Sequence, residues 1–239
     1  MIVIPMAGRS QRFYDAGYDR PKFMLPLEGR SVFAHAVGSF AADFATRPFL
    51  FILPPGQAAA DFVRAECLAL GVGRADFVSL DGPTAGQAET VELGLGALGV
   101  SDPTPLTIFN IDTFRPGFVF PGPPLDGMAG WLEVFRGEGA NWSYVRPGRG
   151  DRPVALETAE KKPISDLCCT GLYHFARAGD FRRALAAERE APQAPELYVA
   201  PLYNHLIAAG AEVGYRLIAR KEVIFCGTPA EYAALTSPA

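Results

Sequence analysis

A glycine and several basic side chains lie close together near the start of the chain, where they could bind phosphate. The loop Ala7–Lys22 reads A-G-R-S-Q-R-F and closes on Y-D-R-P-K, and residues 1–30 hold five basic and three acidic side chains. Gly8 would let the backbone approach a ligand closely, and free N–H groups in such a turn can hold phosphate oxygens. Arg12 offers a fork of donors and Lys22 a point charge. These residue types favour binding of a polyanion, and a glycine turn with solvated arginines is the alternative.

A second group of residues, T-A-G-Q at 84–87, combines small side chains with an amide. Ala85 and Gly86 would let a flat base approach the backbone. Gln87 could recognise a base edge, because its amide supplies both donors and an acceptor. Thr84 could equally be the N-cap of a following helix, which would give the segment a purely structural role. Both interpretations are open on the residues alone.

A single carboxylate, Asp112, follows a predicted strand in the segment N-I-D at 110–112. Phosphoryl transfer needs a cation that bridges phosphate oxygens, and proteins commonly hold Mg²⁺ with one or two carboxylates. An aspartate after a strand is also common as a turn or cap residue. Asp112 is therefore a candidate metal ligand, with a structural turn as the alternative.

Short apolar runs alternate with helical patterns through the first half of the chain. The order β-α-β-α-β-α-β predicts a parallel sheet covered by helices, with right-handed crossovers. Ligands of such sheets bind beyond the carboxyl ends of the strands, which brings the Gly8 loop, Thr84 and Asp112 around one crevice. The predicted elements are strands Ile2–Met6, Phe49–Leu53, Asp76–Leu80 and Leu106–Asn110, and helices Ala58–Leu70, Gln87–Leu98 and one capped by Ser31 with Phe33, Val37, Phe40 and Phe44 on a single face.

The composition changes in the second half of the chain, where glycine and proline are frequent from residue 115 to residue 130. It contains no repeat and no low-complexity linker, so we predict a single domain over 1–239 with halves 1–114 and 115–239. The predicted elements here are strands Gly130–Arg136, Trp142–Val145, Pro153–Leu156, Leu172–Phe175, Val213–Ile218 and Val223–Cys226, helices Asp180–Glu190 and Val199–Ala209, and a short helix in the tail.

Composition and missing motifs exclude several classes of function. The 239 residues are 49% hydrophobic and 20% charged with a net charge of −4, which is typical of a globular protein and argues against a general nucleic-acid binder. The longest apolar run, Phe49–Leu53, is too short to span a bilayer, so no membrane partner is expected. Four cysteines without C-x-x-C argue against zinc and suit a cytoplasmic protein with reduced thiols. The P-loop, G-x-G-x-x-G and G-x-S-x-G patterns are absent, and the three scattered histidines disfavour a Ser-His-Asp hydrolase.

The order of the segments resembles the nucleotide-sugar pyrophosphorylases, which are sugar-phosphate nucleotidyltransferases with a glycosyltransferase-A-like fold. The resemblance starts with I-P-M-A-G at 4–8, continues through R-F at 12–13, G-Y at 17–18 and P-K at 21–22, and ends with G-T-P at 227–229. It implies a single-domain, Rossmann-like, three-layer α/β/α fold with a mostly parallel mixed sheet, of the nucleotide-diphospho-sugar transferase type. The half 1–114 would bind the nucleotide and the half 115–239 the acceptor.

The resemblance also implies roles for residues of the nucleotide half. Lys22 and Arg12 are expected to be catalytic, with Lys22 stabilising charge on the α-phosphate, and Asp112 is expected to bind Mg²⁺. Many members carry a second acid before a late Gly-Thr, whereas this chain has F-C-G-T at 225–228, so Glu133, Glu138 and Glu196 are open as substitutes. The residues expected to bind the nucleoside triphosphate are Ala7, Gly8, Arg9, Thr84, Gly86 and Gln87.

On the acceptor side, the resemblance points to E-K-K at 160–162 and to the Thr170-Gly171 pair. Lys161 is the first choice for holding the acceptor phosphate, Lys162 is the alternative, and a charged surface turn is the structural interpretation. Gly171 and Asn141 are also expected to bind the acceptor. Further candidates for this side are Trp142, Tyr198, Tyr203 and Asn204.

The expected reaction is nucleotidyl transfer. A phosphate oxygen of the acceptor, foremost a sugar-1-phosphate, attacks the α-phosphorus of a nucleoside triphosphate, and pyrophosphate leaves. The expected setting is the cytoplasm and polysaccharide synthesis, and assembly into a homo-oligomer is left open. The alternatives are a cytidylyltransferase acting on a non-sugar phosphorylated acceptor, and a nucleotide-binding module with little or no catalysis.

Overall fold

The computed structural model describes residues 1–123 and 125–237 as an α/β fold around a nine-stranded mixed sheet. The strands in chain order are β1 (Ile2–Pro5), β2 (Pro26–Leu27), β3 (Arg30–Ser31), β4 (Phe49–Leu53), β5 (Ala75–Ser79), β6 (Leu106–Phe109), β7 (Thr113–Phe114), β8 (Gly130–Arg136), β9 (Ser143–Pro147), β10 (Ala155–Glu160), β11 (Leu167–Phe175), β12 (Val213–Ile218) and β13 (Ile224–Phe225). The α-helices are α1 (Gln11–Asp15), α2 (Val32–Gly38), α3 (Gln57–Leu70), α4 (Gln87–Ala97), α5 (Ala178–Glu190), α6 (Leu202–Ala208) and α7 (Pro229–Thr236).

The sheet joins the two halves of the chain edge to edge. Its order is β10-β9-β11-β6-β1-β4-β5, and β8 and β12 extend it from β11. Strands β6, β1, β4 and β5 are mutually parallel, whereas β11 runs antiparallel to β6. The predicted α/β class with its parallel first half is therefore confirmed, and the antiparallel β11 attaches the second half.

Helices cover both faces of the sheet, because successive side chains of a strand point to opposite faces. On one face, Ile2 and Ile4 pack with buried residues of α2, α3 and α7. On the other face, Val3 packs with buried residues of α4, α5 and α6. Each of these clusters takes residues from both halves of the chain, so the halves share their core.

Several element boundaries differ from the sequence expectation. Helix α2 ends at Gly38 and a one-turn helix follows at Ala41–Asp43, so Phe40 and Phe44, predicted on its face, lie beyond the observed helix, although Phe40 is fully buried. Strand β11 begins at Leu167, five residues before the predicted start, and β10 continues to Glu160. The segment 167–171 lacks an alternating pattern, and its strand conformation comes from pairing with β8. Helix α6 begins at Leu202, not at Val199.

A buried ion pair anchors the chain segment that follows β7. Arg115 donates from Nε to Oε1 of Glu133 at 2.6 Å and from Nη2 to Oε2 at 3.1 Å, and both side chains are almost fully buried. Thr170 of β11 donates to the same Glu133 carboxylate, at 3.2 Å. Arg216 of β12 lies 4.0 Å from it. The Glu133 carboxylate on β8 thus holds three separate segments in place.

We expect Glu133→Ala to destabilise the protein by about 3–5 kcal/mol, because it leaves Arg115 as a buried charge without its partner. Urea unfolding followed by circular dichroism would measure this cost. The control is Glu190→Ala at the exposed end of α5, which should change the free energy of unfolding by at most about 0.5 kcal/mol. A cost for Glu133→Ala no larger than that of the control would contradict the anchoring role.

Candidate active site

A cavity of about 740 Å³ opens beyond the carboxyl ends of β1 and β6. Both halves of the chain line it, as expected for the ligand site of a sheet of this kind. Eleven of the residues that the sequence analysis expects to bind substrate or metal line this cavity, and Lys161 does not: Ala7, Gly8, Arg9, Arg12, Lys22, Thr84, Gly86, Gln87, Asp112, Asn141 and Gly171.

The loop Ala7–Lys22 forms the basic side of the cavity. A Cβ added to Gly8 would meet no atom within 4 Å, so a ligand has free access to this backbone. Ser10 has a positive φ of 51°, and its Oγ accepts a hydrogen bond from the Lys22 N–H at 3.3 Å. Arg9 and Arg12 are exposed, and within the described ranges neither makes a salt bridge. Their guanidinium groups are thus available to an anion.

Lys22 and Asp112 form an ion pair at the floor of the cavity. The Lys22 Nζ lies 2.5 Å from Oδ2 of Asp112, and each side chain is 22% exposed. Asp112 stands between β6 and β7, and its carbonyl oxygen accepts a hydrogen bond from the Cys226 N–H at 2.8 Å. The pair therefore places one positive and one negative group within reach of the same ligand.

The surroundings of Asp112 fit a Mg²⁺ ion that arrives with a phosphate ligand. A Cβ on Gly227 would stand 3.0 Å from Oδ2 of Asp112 and 3.7 Å from Oε2 of Glu231, so two carboxylates flank this glycine. Glu231 Oε2 already accepts the N–H groups of Gly227 and Thr228, both at 2.9 Å. Residues 1–123 and 125–237 contain no group of three His, Cys, Asp or Glu side chains that could hold a metal alone. Mg²⁺ is usually bound by one or two carboxylates plus substrate phosphates, which is what this donor set offers.

The proposed substitutes for a second acid differ in their positions. Glu133 is fully buried against Arg115 and does not line the cavity, so it is wrong as a metal ligand. Glu138 and Glu196 line the cavity. Sequence reasoning missed Glu231, although T-P-A-E at 228–231 is the pattern of a helix capping box, and the structure has that box at the start of α7.

The segment 84–87 packs against the other half of the chain. A Cβ on Gly86 would lie 2.5 Å from the carbonyl oxygen of Leu197, so Gly86 permits a close backbone contact as well as lining the cavity. Thr84 is not the N-cap of α4, because Gly86 holds that position and the Thr84 hydroxyl donates to the carbonyl of Gly86 at 3.1 Å. Gln87 donates from Nε2 to Oδ1 of Asn110 at 2.6 Å, which leaves its carbonyl oxygen and its second amide N–H for a ligand.

The part of the cavity lined by the second half of the chain is acidic and aromatic, and we call it the acidic end. Glu138, Glu160 and Glu196 line it together with Trp142 and Tyr198. Burial raises the pKa of Glu160, and the Glu196 carboxylate raises it further, while the Ser143 hydroxyl and Lys161 oppose the shift. With three carboxylates and one nearby lysine, this end holds more acidic than basic groups.

Lys161 is an exposed residue next to this acidic end. Its φ is +54°, and its Nζ donates to the hydroxyl of Tyr198 at 2.6 Å, which raises the pKa of the lysine. The Lys161 ammonium group therefore contacts the cavity residue Tyr198, and Lys161 itself does not line the cavity. Lys162, the alternative, is exposed and does not line the cavity.

Two of the acceptor-side candidates are wrong. Tyr203 is fully buried and its hydroxyl donates to the carbonyl of His174 at 2.8 Å, so it belongs to the core. Asn204 bonds the backbone of Thr158 in β10 and does not line the cavity. Both sit on α6, whose inner face packs on the sheet and not on the cavity.

Comparison with solved structures identifies similar proteins over the whole chain. A nucleoside-diphosphate-sugar pyrophosphorylase from Vibrio cholerae RC9 is 50% identical, with a TM-score of 0.94 over 99% of both chains. An inositol-1-phosphate CTP transferase from T. maritima is 14% identical, with a TM-score of 0.73 over 98% of this chain and 93% of that one. A protein described as a glucose-1-phosphate thymidylyltransferase from Bacillus anthracis is 16% identical, with a TM-score of 0.74 over 98% and 92%. The last two similarities establish the fold alone.

Neither the protein-family models nor the curated proteins contain a match to this chain. Among the described residues, every helix is too short or too polar to cross a membrane.

We expect Gly171→Ala to destabilise the protein by at least about 2 kcal/mol, from a positive φ combined with steric overlap. Gly171 has a φ of +93°, and an added Cβ would lie 2.5 Å from Nδ2 of Asn110. Gly210→Ala is a matched control, because its φ is +82° and no atom lies within 4 Å of the added Cβ. The control should cost about 1 kcal/mol, which is the positive φ alone. Equal costs in urea unfolding would show that Asn110 moves aside freely.

Proposed function

Because the chain belongs to the nucleoside-diphosphate-sugar pyrophosphorylases, we propose that it transfers a nucleoside monophosphate from a nucleoside triphosphate to a sugar-1-phosphate and releases pyrophosphate. The observation that carries this proposal is the single cavity that holds the basic loop, the Lys22–Asp112 pair and the acidic end. In the proposal, the half 1–114 of one domain supplies the nucleotide site and the half 115–239 the acceptor site. The individual site residues are part of the proposal.

The proposed chemistry needs no protein nucleophile and no general base, because the attacking acceptor phosphate is already ionised. Catalysis then consists of holding two anionic substrates in line and stabilising the charge that develops during transfer. Lys22 contributes a point charge at the cavity floor, and Arg12 a fork of donors at the loop. The backbone at Gly8 is open to the phosphates of the nucleotide.

In this proposal Asp112 holds Mg²⁺, together with the phosphates of the substrate. When bound, Mg²⁺ would supply positive charge that offsets the charge of the phosphates. The protein's own contribution is to fix Asp112 through the Cys226 N–H and to keep Lys22 within reach of the same carboxylate.

The proposal also includes a cytoplasmic location and a role in polysaccharide synthesis. All four cysteines are free and buried, which suits a reducing compartment. Burial raises the pKa of Cys67 and of Cys226 to about 12, so both thiols are protonated at neutral pH, which disfavours a nucleophilic role.

Pyrophosphate release tests the proposed function and the role of Lys22 in one assay. Purified protein with Mg²⁺ would be given CTP, dTTP, UTP, GTP and ATP in turn, against a set of sugar-1-phosphates. We expect release with one nucleotide and acceptor pair, and we expect Lys22→Ala to lower kcat by about 10²-fold or more, as for loss of one preorganised charge donor. Lys221→Ala, an exposed lysine away from the cavity, is the control.

Two outcomes would contradict this proposal at different points. A kcat near the wild-type value for Lys22→Ala would show that Lys22 is not catalytic, but it would not contradict the proposed reaction. Nucleotide binding detected by thermal shift, with no pyrophosphate from any pair, would instead favour a nucleotide-binding module.

The acidic end favours a second candidate, a cytidylyltransferase for a phosphorylated amino alcohol. Three carboxylates line this end, and within the described residues none of them makes a salt bridge, while Lys161 is bound to Tyr198. An ammonium group on the acceptor would reduce the repulsion between Glu160 and Glu196. Neutral hydroxyl groups would only accept or donate hydrogen bonds there.

Paired acceptors separate the two candidates. Glucosamine-1-phosphate and glucose-1-phosphate differ by an ammonium in place of a hydroxyl, and phosphoethanolamine offers an ammonium without a sugar. If the acidic end selects an ammonium group, the acceptor that carries it should have a kcat/KM at least about tenfold higher than that of glucose-1-phosphate. The reason is that a hydrogen bond to a charged group contributes about 1.5 kcal/mol or more. Glu160→Gln should then reduce that preference. An equal or higher kcat/KM for glucose-1-phosphate would reject the second candidate.

A further inference from the structure

The loop between α5 and α6, residues 191–201, carries part of the acidic end of the cavity. Glu196 and Tyr198 line the cavity from this loop. Five of its eleven residues are exposed and it contains no helix or strand, so its shape depends on a few polar contacts. Two of these contacts lie outside the cavity, and the proposed chemistry uses neither.

The first contact is made by Glu188, near the end of α5. Its side chain is only 1% exposed, and it accepts hydrogen bonds from the backbone N–H of Gln193 at 2.7 Å and from its Nε2 at 2.9 Å. His205 of α6 places Nε2 2.7 Å from the same carboxylate. Burying a carboxylate is unfavourable unless such donors surround it, so Glu188 strongly favours one position of Gln193.

Gln193 is connected to β10 by hydrogen bonds through Asn204. Its Oε1 accepts a hydrogen bond from Nδ2 of Asn204 at 2.6 Å. Asn204 in turn donates to the carbonyl of Thr158 at 2.8 Å and accepts from the Thr158 N–H at 2.7 Å. Thr158 lies two residues before Glu160 on β10. One network therefore fixes both the loop with Glu196 and the strand with Glu160.

The second contact joins the loop to the nucleotide half. The Leu197 N–H donates to the carbonyl of Ala85 at 3.0 Å, and the carbonyl of Leu197 accepts from the Ala88 N–H at 2.8 Å. Leu197 lies between the two cavity residues Glu196 and Tyr198. The loop is thus held at Gln193 by Glu188 and at Leu197 by the segment 85–88, and loss of the first contact leaves the second in place.

We propose that Glu188 is a positioning residue for acceptor binding, which acts through Gln193 on the acidic end of the cavity. Glu188 does not line the cavity and so does not touch a substrate. This inference rests on the proposed function, since it takes the acidic end as the acceptor site. We expect the two substrates to respond differently, because among the described residues no hydrogen bond or salt bridge joins Glu188 or Gln193 to the basic loop or to the Lys22–Asp112 pair, and the segment 85–88 meets the loop at Leu197.

Kinetics of Glu188→Gln test this role. The substitution keeps the shape of the side chain but presents an amide NH₂ to donors, so at least one hydrogen bond to Gln193 or His205 is lost. We expect the acceptor KM to rise about tenfold through misplacement of the loop, while the nucleotide KM changes less than about twofold. Gln193→Ala, at an exposed position of the loop, should give the same pattern.

Glu190→Gln is the matched control, since Glu190 lies on the same helix, is exposed and does not line the cavity. Both KM values should stay at the wild-type level in this variant. Nucleotide Kd from a thermal-shift titration provides a readout that does not depend on turnover, and we expect it to be unchanged in Glu188→Gln and Gln193→Ala.

Three results would overturn the inference. A lower Tm with both KM values unchanged would make Glu188 a core residue only. An equal rise of both KM values would show a general disturbance of the cavity. Wild-type protein that binds nucleotide but releases no pyrophosphate would contradict the proposed function, and the inference would fall with it before any variant is compared.

Discussion

The antiparallel pairing of β11 with β6 is the contact on which the whole cavity depends. Strand β6 leads into Asp112, and β11 carries Gly171 beside it, where the Asn110 N–H donates to the carbonyl of Gly171 at 3.0 Å. Parallel strands of the first half alone would leave the crevice open on one side. Because β11 closes it and β8, β9 and β10 follow in the same sheet, both halves of the chain line one cavity, as the proposed nucleotide and acceptor sites require.

The charges of the cavity are segregated along the same axis. Arg9, Arg12 and Lys22 stand on the side of the first half, and three glutamates stand on the side of the second. The basic side suits a triphosphate, whose charge is concentrated in one place. Asp112 lies with the basic groups and is balanced by Lys22, so a negative ligand meets little net repulsion there. In the proposed reaction, the two ends would therefore bind different parts of the substrate pair.

The sequence predicted the parallel half of the fold well and the second half less well, for physical reasons. Buried strands such as Phe49–Leu53 are continuous apolar runs whose character is local, and so the order of elements followed from pattern alone. The start of β11 at Leu167 depends on pairing with β8, which no local pattern records. Among site residues, the loop Ala7–Lys22 was found because its members are close in sequence. Tyr203 and Asn204 were misplaced because helix faces depend on packing, and Glu231 was missed because its capping role and its place beside Asp112 coincide only in three dimensions.

The three site glycines Gly8, Gly86 and Gly171 have different surroundings. Gly8 faces open space and leaves room for a ligand. Gly86 and Gly171 are crowded instead, by the backbone of Leu197 and by the side chain of Asn110. Each of these two lies where the first half of the chain meets the second, so the absence of a side chain there sets how closely the halves approach. The width of the cavity is consequently fixed by the same residues that line it, and a larger side chain at either position would alter the spacing of the two substrates before it touched either of them.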